Sequence, residues 1–107
     1  MKLLVKFHPV DAFWTTMPMG KMAEISAAME VVRTEWIKSG KLKEAYHTAD
    51  MKHVIFMAEV SSPEEWARIF MGYPGFFYME IDELTPLVEY ETSVKISREI
   101  MQKAMKK

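Results

Sequence analysis

The 107-residue sequence contains no cysteine. That excludes a disulfide framework, a thiolate nucleophile, a CxxC redox pair and every cysteine-ligated metal centre, and it is compatible with the cytoplasm, the location expected here. An excess of either charge is also absent, since 14 basic residues face 15 acidic ones for a formal net charge of −1. Bulk electrostatic binding of nucleic acid needs a concentrated positive surface, so no nucleic-acid partner is expected. No apolar run approaches the roughly 18 residues of a membrane span. The start, Met1-Lys2-Leu3-Leu4-Val5-Lys6, carries a lysine inside its apolar stretch and does not read as a signal peptide. Phosphate-cradling loops, GxGxxG turns and nucleophile elbows are missing as well.

What is present is the composition of a globular chain, half apolar and 27% charged. At this length it reads as a single domain, residues 1–107, with a core over 1–90 and a C-terminal helix over 92–106. Residues 2–8 alternate, with Leu3, Val5 and Phe7 on one face and Leu4, Lys6 and His8 on the other, which predicts a strand. Residues 9–20 carry Pro9, Pro18 and Gly20 beside Phe13, Trp14, Met17 and Met19, and read as an unusually apolar loop. From Met22 to Lys38 a helical stripe runs through Ile25, Ala28, Met29, Val32 and Trp36, with Gly40 placed as its C-terminal cap.

Two strands follow over 42–49 and 52–60, the second almost continuously apolar, with a turn at Asp50. Ser62, Pro63 and Glu65 form the start of a second helix, a serine cap with proline at the first helical position and a glutamate three residues on. Residues 76–90 read as a strand interrupted near Pro86. A last helix, capped by Thr92 or Ser93, is expected to turn Val94 or Ile96, Ile100, Met101 and Ala104 inward. The five basic residues against one acid in the tail from Ser93 to Lys107 suit either an anionic surface or a helix C-terminus stabilised by the macrodipole; the second is preferred, so no membrane partner is expected.

The order is βαββαβ plus a helix: an α+β, ferredoxin-like arrangement with an antiparallel sheet and both helices on one face. The other face, with Leu4, Val54 or Ile55, Phe56 or Met57, and Phe76 or Phe77, is too apolar for water, which predicts a homodimer joined through it as a dimeric α/β barrel.

Three stretches resemble the muconolactone isomerase family of dimeric α/β barrels: Gly40 ending the first helix, Val60-Ser61-Ser62-Pro63-Glu64-Glu65 opening the second, and Tyr73-Pro74-Gly75-Phe76-Phe77-Tyr78-Met79-Glu80-Ile81 leading to Leu84. The resemblance covers roughly residues 1–90. It implies a dimeric barrel with a pocket between sheet and helices, in which a lactone is isomerised by proton transfer without a cofactor. Members place a tryptophan and a histidine two and four residues after the glycine; here those positions are Leu42 and Glu44.

Candidate acid/base groups are His8, Glu44 and Tyr46. His8 reads as a general base at a pocket mouth or as a strand-end histidine satisfied by water. Glu44 and Tyr46 share a strand face, as do Tyr78, Glu80 and Asp82, and an acid beside a phenol can move a proton between two carbons of a ligand. Trp14, in the loop, is a candidate lid or dimer contact; Met57, Tyr78 and Glu80 complete the expected ligand-binding set, methionine serving as an adaptable wall. His47 and His53 flank a turn and could approach each other, but no HxH or HxxxH spacing exists, so no metal is expected. The functions in view are a cofactor-free isomerase or lyase acting on a small lactone or an aromatic or carboxylate metabolite, and a barrel that binds a hydrophobic metabolite without changing it. An oxygenase of the haem-degrading barrels finds no haem-ligand pattern here.

Overall fold

β1 (Lys2–Pro9) forms because its alternation lets Leu3, Val5 and Phe7 be buried while Leu4, Lys6 and His8 face the other way. The computed structural model describes residues 1–106; the last residue of the expected domain, Lys107, lies outside the described residues. After β1 come α1 (Asp11–Thr15), α2 (Met19–Lys38), β2 (Leu42–His47), β3 (Val54–Glu59), α3 (Pro63–Met71), a 3₁₀ turn (Phe76–Tyr78), β4 (Met79–Leu87) and α4 (Tyr90–Met105). The four strands form one antiparallel sheet in the order β2-β3-β1-β4, the ferredoxin-like topology.

Register settles which apolar residues of β3 face where. Val5 lies opposite Phe56 and Leu3 opposite Ala58, so Phe56 and Ala58 join the buried face, while Leu4 opposite Met57 and Lys6 opposite Ile55 put Met57 and Ile55 on the open one. The buried face meets Trp36 of α2, Trp66 and Phe70 of α3, and Tyr73. Phe7 is the hub, with ring centroids 5.0 Å from Phe56, 5.2 Å from Phe70 and 6.2 Å from Tyr73. The space between sheet and helices over β1 and β3, where the resemblance puts a pocket, is filled by these rings.

α3 starts as its sequence dictates. The backbone N–H of Glu65 donates to Ser62 Oγ at 3.1 Å, Pro63 occupies the first turn, and the Glu65 carboxylate reaches back to accept from Ser61 N–H at 2.9 Å. Ser62→Ala is expected to lower stability by about 1 kcal/mol, read as a shift in urea midpoint with unchanged slope.

Several expectations are corrected. The supposed loop 9–20 contains α1 and the start of α2: Pro9 and Pro18 bracket α1 rather than break it, and Pro18 stands at the α2 N-cap, where no helical N–H is required. Ala28 is exposed, while Ile25, Met29, Val32 and Trp36 are half-buried. Phe76–Tyr78 is a 3₁₀ turn rather than strand, and Tyr78 therefore does not alternate with Glu80 and Asp82. β4 runs unbroken through Pro86, which pairs with Leu3 on the sheet edge, the place where proline's missing donor costs nothing. The last helix begins at Tyr90 with Glu89 as N-cap rather than Thr92 or Ser93. Its apolar side chains do not turn inward: Ile96, Ile100 and Met101 are exposed, because α4 leaves the end of β4 and runs away from the sheet, giving the chain extents of 66 × 27 × 24 Å. Among the described residues no helix is long and apolar enough to cross a membrane.

Candidate functional site

The open face of the sheet, which no helix among the described residues covers, carries Leu4, Ile55 and Met57 as a half-buried apolar floor. At one side stand Glu44 and Tyr46 of β2, opposite Met57 and Ile55. The Tyr46 hydroxyl donates to the Glu44 carboxylate at 2.5 Å, and that hydrogen bond, followed by the carboxylate's charge, raises the phenol's pKa. Beside them lies a hollow of about 80 Å³ lined by Lys2, Lys43, Glu44, Met57 and Ala58. The two side chains are exposed within a single chain, so their pairing becomes chemically consequential only where water is excluded.

At the far end of the floor, where His8 lies about 12 Å from Tyr46 by strand spacing and rise, β1, β4 and the turn before β3 converge on a second group. His8 Nδ1–H donates to Asp82 Oδ2 at 2.8 Å, while His8 Nε2 lies 3.3 Å from Glu80 Oε2. His53 Nε2 lies 3.7 Å from Asp82 Oδ2, and the two imidazole rings meet edge to face with centroids 5.4 Å apart. The side chains of His8, His53 and Asp82 are 28%, 30% and 30% exposed, so they are half-withdrawn from solvent but accessible from the open face. The hydrogen bond to Asp82 holds the His8 imidazole above its usual pKa; burial opposes this, and the charges of Asp82, Glu80 and Asp11 reinforce it.

Local structure explains how each side chain arrives. The β1–β4 register passes from Lys6–Glu83 to Phe7–Ile81, leaving Asp82 as the extra residue of a β-bulge; Ile81 stays on the helix side, and Asp82 swings to the open face towards His8. Glu80 reaches His8 by direct pairing. His53 is held by the turn before β3: its N–H donates to Thr48 Oγ1 at 3.1 Å, its carbonyl accepts from Thr48 N–H at 3.0 Å, and Asp50 accepts from the Thr48 hydroxyl at 2.5 Å and from Lys52 N–H at 3.0 Å. Met51, at φ 63°, completes that turn in the left-handed region.

Of the sequence candidates, Glu44, Tyr46 and Met57 are brought together, and His8 is brought to Glu80. Tyr78 and Trp14 sit at the same end of the sheet as His8. Val10 N–H donates to the Tyr78 carbonyl at 2.7 Å, and Phe13 contacts both Trp14 and Tyr78, with Trp14 itself 59% exposed on α1. The approach of His47 to His53 that their places beside the turn allow does not occur: His47 pairs with Val54, whereas His53 turns to His8. Asp82 and His53 are the residues that sequence reasoning left out of the site. The histidine pairing was recoverable from parity, since Phe7 opposite Val54 puts His8 opposite His53, but the bulge at Asp82 leaves no mark in the sequence. His8, His53 and Asp82 each offer one donor atom, all within 4.8 Å of one another, a set that could hold a metal ion and that spacing along single elements does not reveal.

No protein-family model matches the chain, and no curated protein matches it. Among solved structures it is similar to the crystal structure of muconolactone isomerase, with a TM-score of 0.71 and 24% sequence identity over 84% of this chain and 91% of that one. The chain therefore has a muconolactone isomerase-like fold.

Proposed function

We propose that the chain is half of a homodimeric barrel whose enclosed chamber binds a small organic molecule and moves a proton on it, without a redox cofactor. The observation that carries this reading is the open sheet face, with its apolar floor and the Glu44–Tyr46 hydrogen bond beside a hollow. The chamber needs a second copy. A hollow of about 80 Å³ is too small for a drug-sized or metabolite-sized ligand, for which pockets run to about 300 Å³ or more. Leu4, Ile55 and Met57, together with the exposed apolar stripe of α4, are surfaces that a self-complementary twofold contact would cover. Light scattering at micromolar concentration is expected to give about twice the 12.5 kDa chain mass.

Within a chamber closed in this way, Glu44 takes a proton from an acidic carbon of the ligand, the Tyr46 hydroxyl supplies one to a second carbon, and the proton on Glu44 then passes across their hydrogen bond to the Tyr46 phenolate, restoring both groups. The ligand leaves as an isomer, with atoms and charge unchanged. Lactones and α,β-unsaturated carboxylates have such carbons, and the muconolactone isomerase-like fold makes a small lactone the first compound to try. His8, with both ring nitrogens already facing carboxylates, closes the far end of the chamber, and Trp14 and Tyr78 flank that end.

Incubation with a panel of small unsaturated lactones in deuterated water, followed by proton NMR, is expected to show exchange at a ring carbon. Glu44→Gln should slow it about 10²–10⁴-fold with folding unaltered. Ligand line-broadening without exchange would overturn the catalytic reading in favour of a binding barrel, and neither signal would overturn both.

A further inference from the structure

We propose that His8, His53 and Asp82 form a binding site for one first-row divalent cation of the zinc class, with Glu80 as the carboxylate that orients His8 from behind. The proposal stands on this cluster alone and does not depend on the reaction at Glu44 and Tyr46.

Donor geometry points to such an ion. A tetrahedral zinc ion with nitrogen and oxygen ligands at about 2.0–2.2 Å sets its donors about 3.4 Å apart. His8 Nδ1 and Asp82 Oδ2 are 2.8 Å apart and His53 Nε2 and Asp82 Oδ2 3.7 Å apart, bracketing that separation, and no pair of donors in the set exceeds 4.8 Å. The outer shell points the same way. A histidine on a metal characteristically donates its other ring N–H to a carboxylate, which fixes its tautomer and raises its basicity. With Nδ1 on the ion, His8 Nε2–H points to Glu80 Oε2 at 3.3 Å, so that partner is already in place. Rigidity adds to this: His8 and Asp82 sit on paired strands, Asp82 in a bulge, and the backbone of His53 is clamped on both sides by Thr48.

The chemistry of the donors selects the ion. Two imidazoles and one carboxylate suit zinc, cobalt, nickel or ferrous iron rather than magnesium or calcium, which require mostly oxygen ligands. Asp82 and Glu80 together balance the dication, so the occupied site adds no uncompensated charge. Three protein ligands leave a fourth position, and because the cluster is reached from the open face, that position takes water or an oxygen of a bound small molecule.

The test uses the full chain after chelator treatment, titrated with zinc chloride by calorimetry and with cobalt chloride by its visible absorption. The expected result is one ion per chain, an intense cobalt spectrum of tetrahedral type, and a rise in melting temperature with zinc. His53→Gln and Asp82→Asn should each weaken zinc by more than 100-fold. Glu80→Gln should weaken it by about 10–100-fold, and His47→Gln, which alters a histidine outside the cluster, should leave it unchanged. Imidazole proton resonances in the wild-type chain give a second readout that requires no variant: those of His8 and His53 should shift with zinc while that of His47 stays. No binding at millimolar zinc, or a loss in His47→Gln equal to that in His53→Gln, would overturn the assignment, as would a zinc-induced shift of His47 in place of the other two.

Discussion

Phe7→Ala is expected to cost the fold about 3–5 kcal/mol, a large part of the 5–15 kcal/mol that holds a domain together. The ring is 1% exposed in the middle strand pairing, and it touches Phe56 from β3, Phe70 from α3 and Tyr73 after it, so both helix-side and sheet-side packing pass through one side chain. Truncation removes the transfer free energy of a phenyl group and leaves a cavity that neighbouring rings, fixed edge to face, fill poorly. The effect extends to the open face. His8 follows Phe7 directly, and Phe7–Ile81 is the pair at which the bulge begins, so slippage of β1 against β4 would carry Asp82 away from His8. Guanidinium unfolding should show the loss in full for Phe7→Ala, whereas Phe77→Ala, at a ring 90% exposed, should stay within about 0.5 kcal/mol of the parent. A loss below about 1.5 kcal/mol for Phe7→Ala would mean that the aromatic cluster repacks around the gap.

The contrast between Phe7 and Asp82 also explains what the amino-acid order could disclose. β1 was legible because one of its faces is buried and the other is not, which writes burial into alternate positions. α3 was legible because a cap is a local device: Ser62, Pro63 and Glu65 meet their partners within four residues. β3 was ambiguous, since Val54-Ile55-Phe56-Met57 is apolar on both faces and only its pairing with β1 decides that Phe56 is core and Met57 floor. The short α1 was hidden because prolines delimit helices as well as interrupt loops. α4 has the periodicity of a packed helix, yet Ile96, Ile100 and Met101 are exposed among the described residues, and periodicity records that a face is apolar without recording what covers it. The site shows the same division. Glu44 and Tyr46 are two apart on one strand and so were readable as a pair, whereas the His8, His53 and Asp82 cluster joins residues 45 and 74 positions from the first through a non-consecutive strand order and a bulge.

Alkaline solution should then expose a further property of the core. Burial pushes the Tyr73 phenol from its ordinary value of 10.0 up to about 12, with the nearby Arg33 pulling it down and Glu30 pushing it up by lesser amounts. A phenol whose folded-state pKa is raised keeps its proton after the unfolded chain has lost it. Its contribution to stability is therefore complete below about pH 10, falls as pH rises, and is gone above about pH 12. A difference of about two pKa units corresponds to about 2–3 kcal/mol. Tyr73→Phe removes the ionisable group while keeping the ring that stacks on Trp36 at 5.2 Å and on Phe70 at 5.7 Å. Lysine deprotonation over the same range affects both proteins alike and cancels in the comparison. Between pH 9 and pH 12 the parent should lose about 2–3 kcal/mol more than Tyr73→Phe in urea unfolding, with phenolate absorbance rising as the parent unfolds. Equal losses would mean that the Tyr73 hydroxyl reaches water in the folded chain.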